Sequence, residues 1–144
     1  MPSDRSARQP TADSGARSGG ARIRGIVFRE GLHRGTLPDA VCERKRYPHL
    51  LDRRIPVQVI EFDCAEDRLQ HACAALRSAL LPRGYYAHFL AWPVMHIVFP
   101  HRVVTITYPD QQAAELARAA GGEVGIPARQ MRFLEMFTVD HPDA

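Results

Sequence analysis

Long apolar runs are absent from this sequence. No stretch of its 144 residues reaches the roughly 18–20 consecutive apolar side chains that a membrane-spanning helix needs. The N-terminus is polar and carries no hydrophobic core of a secretory signal. Both absences lead to the expectation of a cytoplasmic protein with no membrane partner. Cysteine is scarce: Cys42, Cys64 and Cys73 are the full set. Their spacing fits no metal motif, and an odd number without a secretion signal predicts free thiols packed as small hydrophobes. Lysine is nearly missing, with Lys45 alone among 19 basic residues. There is no Walker sequence, no H-E-x-x-H, no G-x-S-x-G and no C-x-x-C. Gly121-Gly122-Glu123-Val124-Gly125 lacks the order of a phosphate loop and follows a helical pattern rather than a strand. No cofactor is implied.

What is present is an ordinary globular composition, 45% hydrophobic and 24% charged, in a chain the length of one domain. The net charge of +3 is unevenly placed. Residues 1–54 hold twelve basic and six acidic side chains, and residues 55–144 hold seven and ten. Residues 1–22 contain no large apolar side chain except Met1. They cannot offset the entropy of ordering and are expected to form a disordered tail. Residues 23–54 are expected to be an N-terminal extension with one short strand over Ile23–Arg29 and a short helix near Asp39–Arg46. An α+β domain is expected over 55–138, with a C-terminal tail at 139–144.

Within 55–138 the pattern is sharper. Val57–Phe62 is β-branched and aromatic, as strands are. Asp63 and Glu66 resemble a capping box, and Leu69, Ala72, Cys73, Leu76 and Leu80 make one helical stripe. Tyr85–Leu90, Val94–Phe99 and Arg102–Tyr108 read as three strands joined by short loops, hence antiparallel. Asp110 is placed to cap a second helix that Gly121-Gly122 stops. Met131–Val139 suits a last strand or a docked terminal segment. The expected order, β-α-β-β-β-α-β, suggests a ferredoxin-like sandwich: a mainly antiparallel sheet with two helices on one face.

Three stretches carry a resemblance: Tyr85-Tyr86-Ala87-His88-Phe89, then Ile97-Val98-Phe99 with Arg102-Val103, then Gly125 through Phe133. Together they resemble a family of small uncharacterised bacterial proteins with the pattern "WYAHF…VVF…RVF…GIPEEQLDF". Tyr85 stands where that pattern has Trp, and Arg129 where it has an acidic residue. The resemblance implies that 55–138 is one unit. It implies no activity and supplies no catalytic residue.

The candidate site comes from strand register. A three-residue loop at Ala91-Trp92-Pro93 would set His88 opposite His96, and a two-residue loop at Pro100-His101 would set Thr105 opposite His96. Opposed side chains lie about 4.5–5.5 Å apart at Cβ. Ala87, Phe89, Met95, Ile97, Phe99, Val104 and Ile106 would then pack on both helices. Tyr86, His88, Leu90, His96, Val98 and Thr105 would share the outward face with Val57, Val59 and Glu61. A two-residue loop at Trp92-Pro93 would instead put the two histidines on opposite faces.

Three readings of the outward face stand together. It is a polar face through which the chain self-associates as a homodimer or a binding module, with Tyr86, Thr105 and Trp92 as candidate small-molecule contacts. Or it is an acid–base site, with His88 and His96 handling protons and Glu61 orienting them. Or the same three side chains hold a metal; this is the least favoured, and no metal ligand is assigned. A fourth reading, nucleic-acid binding through Arg44-Lys45-Arg46 and its basic neighbours, is disfavoured because Asp39, Glu43 and Asp52 interleave with them.

Overall fold

A computed structural model describes residues 21–142. The disordered-tail expectation for residues 1–22 therefore lies almost wholly outside the described residues. Six strands form one sheet: β1 (Arg22–Phe28), β2 (Cys42–Leu51), β3 (Ile55–Ala65), β4 (Ala87–Ala91), β5 (Val94–Val98) and β6 (Val103–Thr107). Helix α1 (Leu69–Ala79) follows β3 and helix α2 (Gln111–Glu123) follows β6. The spatial order is β2-β3-β1-β4-β5-β6, and every neighbouring pair is antiparallel.

The chain is thus α+β with a six-stranded antiparallel sheet. The expected arrangement of two helices on one face is corrected, because each helix lies on its own side. Ala72, Cys73 and Leu76 of α1 pack with Val27, Ile60, Phe62, Ala87, Phe89 and Val98. Ala114, Ala117 and Ala120 of α2 pack with Met95, Ile97, Val104 and Ile106. Phe89 pairs with His96, one residue from Met95, and successive residues of a strand point to opposite faces. The two cores therefore lie on opposite sides of the sheet.

The segment expected as an extension supplies two strands rather than one. β1 sits in the interior, between β3 and β4. Gly25 makes that position tight: a Cβ there would meet the Phe62 ring and come within 2.7 Å of the His88 carbonyl oxygen. Phe62 lies over this gap and meets Phe89 edge to face, with ring centroids 5.3 Å apart. β2 replaces the short helix expected at Asp39–Arg46. It is an edge strand, and Cys42–Arg46 are exposed on both of its faces, so no alternation marked it in the sequence. A bulge between Glu43 and Lys45 leaves Arg44 over, and Arg44 donates to Asp63 at 2.7 Å.

Asp63 caps no helix. It stays in β3, where Arg22 also donates to it at 2.7 Å, and α1 begins only at Leu69. Burial pushes the Asp63 carboxyl up, but the Arg44 and Arg22 hydrogen bonds overcome this and hold it below the usual carboxylate range. Asp110 does cap α2, accepting from the Ala113 amide at 3.0 Å. This leaves one fewer orphan amide in the first turn. Of the two alternatives for Met131–Val139, the docked segment is the one present: the stretch after α2 docks through 3-10 turns at Ala128–Gln130 and Glu135–Phe137. Two of the three thiols are buried, Cys64 and Cys73, while Cys42 is exposed. Burial lifts both buried thiols to about 11.

Candidate binding cleft

The second hairpin has the expected register, with His96 opposite Thr105. The first does not. Trp92 and Pro93 alone connect β4 to β5, so Ala91 pairs with Val94, Phe89 with His96 and His88 with Ile97. The His88–His96 pair is thereby corrected: the two imidazoles lie on opposite faces and cannot share a proton or a metal. Among the described residues no three His, Cys, Asp or Glu side chains gather as metal ligands. His96 is half-buried on the α1 side, and its Nδ1 lies 3.1 Å from Thr105 Oγ1. Burial lowers its pKa. Trp92 is 62% exposed and packs on Tyr108 and Phe137, with centroids 5.1 and 5.8 Å away. Neither Thr105 nor Trp92 reaches the cleft described below.

His88, Glu61 and Tyr86 do share a face. Glu61 and His88 both pair with Ile26, one from each side, which sets them about 10 Å apart across β1. Val57 and Val59, expected outward beside them, are buried. On this side α2 covers β5 and β6 but does not extend over β1, β3 and β2. The stretch after α2 crosses back over that bare part of the sheet and roofs a narrow cleft that opens to solvent. Its walls are apolar, from Ile26, Phe28, Leu51, Ile126 and Met136. Its polar lining comes from His88, Tyr86, Gln130, Arg129, Arg132 and Asp140.

Fixed contacts hold the roof in place. Arg24 donates to both carboxylate oxygens of Asp140, at 3.0 and 2.6 Å, and to Glu61 at 2.9 Å. Those bonds raise the guanidinium pKa and hold both carboxyls below their ordinary value. Tyr47 Oη lies 2.7 Å from His141 Nε2, and His141 stacks on His49 with centroids 4.3 Å apart. The Tyr86 hydroxyl donates to the Gln130 carbonyl at 2.9 Å. At the mouth, Asp52 accepts from Arg129 at 3.0 Å and from Gln130 at 3.1 Å, tying the β2–β3 turn to the roof.

His88 stands apart from this network. It is 4% exposed and lines the cleft. Among the described residues its ring makes no hydrogen bond, and its nearest aromatic neighbour is Tyr86, edge-on at 6.5 Å. Burial drives its pKa down to about 4, with Asp140 pulling weakly the other way. It is therefore a neutral imidazole with one donor and one acceptor. A buried polar group without a partner is rare enough to need an explanation.

Most of this cleft was missed in the sequence. Arg24, Tyr47, His49, Asp140 and His141 come together from chain positions more than ninety residues apart, and no spacing rule connects them. One signal was present: the stretches 85–89 and 125–133, singled out by resemblance, meet here through Tyr86 and Gln130. The basic run is largely neutralised: Arg22 and Arg44 engage Asp63, Arg24 and Lys45 engage Glu61, and Arg46 engages Glu43.

No helix among the described residues is long and apolar enough to cross a membrane. Compared with protein-family models, curated proteins and solved structures, the chain matches none.

Proposed function

We propose that the protein is a small-molecule binding module whose site is the cleft beneath residues 126–142, with His88 as its recognition group. The observation that carries this reading is the buried imidazole at the cleft wall, which makes no hydrogen bond among the described residues. Leaving such a group unsatisfied costs about 1–3 kcal/mol, and a ligand atom bonded to it recovers that cost. The lining supports the reading as well, since small-molecule sites have mainly apolar walls with a few convergent polar groups.

The acid–base reading loses its support. A general base works best with a pKa near the working pH, and burial takes His88 to about 4. Its intended partner, His96, lies across the sheet. Self-association through the face carrying His88 is disfavoured because the chain's own residues 126–142 occupy that surface. Nucleic-acid binding would have to break ion pairs already made inside the chain.

Amide chemical-shift mapping against a mixed set of small organic fragments tests the proposal. Binders should perturb β1, β4 and residues 126–142 together, and the perturbations by hydrogen-bonding binders should weaken in His88→Leu. Binders that cluster elsewhere, or hydrogen-bonding binders that ignore the substitution, overturn the reading.

A further inference from the structure

We infer that the ligand of this cleft is an uncharged compound with an apolar body and one hydroxyl or amide group that hydrogen-bonds to the His88 ring. This rests on the reading of the cleft as a binding site and adds the chemical class of its occupant.

Charge pairing around the cleft carries the argument. Two guanidinium groups line it, a third (Arg24) holds the lining Asp140 from outside, and each already faces a carboxylate. Arg24 is held by Asp140 and Glu61, Arg129 by Asp52, and Arg132 by Glu135 at 3.0 Å. An anionic ligand would have to compete with these carboxylates for the guanidinium donors and would lie beside their negative charge. A cationic ligand meets the same obstacle from the other side, because Asp140 is already doubly bound by Arg24. A charge taken from water into apolar walls without a partner is strongly unfavourable. His88 supplies no charge of its own, since its environment favours the neutral ring. Among the described residues the His88 ring contributes one N–H and one ring nitrogen lone pair that no hydrogen bond uses.

The surrounding surface sets the shape of the body. Ile26, Phe28, Leu51 and Ile126 are aliphatic or aromatic, and Met136 adapts to irregular shapes. The Tyr86 hydroxyl is already donated to Gln130, so it leaves its ring as wall. A compact ring or short branched chain fits this lining, with its single polar atom turned toward residue 88.

Four probes of one shape separate the alternatives: toluene, p-cresol, 4-methylbenzoate and 4-methylbenzylammonium, each titrated into the full chain and followed by chemical shifts of β1, β4 and residues 126–142. We expect p-cresol to bind at least tenfold more tightly than the other three. In His88→Leu, p-cresol should fall to the level of toluene, while toluene binds as well as before. His88→Asn, which keeps a donor and an acceptor, should recover part of the p-cresol preference. If either ion binds in the cleft more tightly than p-cresol, the inferred ligand class is wrong while the cleft remains a site. If p-cresol and toluene bind there equally, the hydrogen-bonding role of His88 is refuted. If no probe perturbs these residues, both the class and the binding reading fail.

Discussion

Replacing His88 by Leu should stabilise the fold, and the gain should grow as the pH falls. In the folded chain the ring is 4% exposed, makes no hydrogen bond among the described residues, and has a pKa near 4. In the unfolded chain it titrates at its ordinary 6.5. Above pH 6.5 both states carry a neutral ring, and the substitution removes only the cost of an unsatisfied buried polar group, about 1–3 kcal/mol. Below pH 6.5 the unfolded state takes up a proton that the folded state refuses. Stability therefore falls with pH, by about 1.4 kcal/mol per unit, until the folded ring titrates near 4. Across that window the wild type should lose about 3 kcal/mol more than the variant. Urea unfolding at pH 7.5, 6.5, 5.5 and 4.5 measures it, with m unchanged between the two proteins. Other groups titrate in both chains, His96 among them, so the quantity to compare is the difference at each pH. A difference that stays flat from pH 7.5 to 4.5, or a variant less stable at pH 7.5, would refute the account of His88.

Three further outcomes follow from named contacts. Asp140→Asn removes a charged bond from a pair about one-third exposed; it should cost no more than about 1 kcal/mol overall, yet visibly speed amide exchange in residues 132–142. Gly25→Ala pushes the Phe62 ring and the β4 backbone aside at once and should cost about 2–4 kcal/mol in urea unfolding; a cost below 0.5 kcal/mol would mean that β1 and β4 are less closely apposed than described. His96→Ala should leave p-cresol binding within twofold of wild type, because the ring lies on the far face; a tenfold loss would restore the paired-histidine site.

Legibility of the fold followed local chemistry. α1, α2 and the β5–β6 hairpin were readable because a stripe, a capping Asp and a two-residue loop act within a few positions of one another. The face of the sheet that each helix covers was not, since it depends on where the chain returns in space. β2 was hidden by its exposure on both faces. The decisive error was a single residue at Trp92-Pro93. Counting Ala91 into the loop moved β4 by one place relative to β5 and exchanged the faces of His88 and Phe89. The candidate residues His88, Glu61 and Tyr86 were nonetheless placed on one surface. His96 was not, and the roof that makes that surface a site comes from residues whose partners lie far away in the chain.

The sheet also works as a partition. Among the described residues fourteen buried side chains lie in the core beneath α1 and fourteen in the core beneath α2, so neither side dominates, and β4 serves both: Ala87 and Phe89 face one while Leu90 faces the other. Melting either half strips one side of that strand and exposes the other half's wall, so the two halves should unfold together. The amides of β1 and β4, enclosed between the two cores, should then be the last to exchange, and their rate should report the opening of the whole molecule.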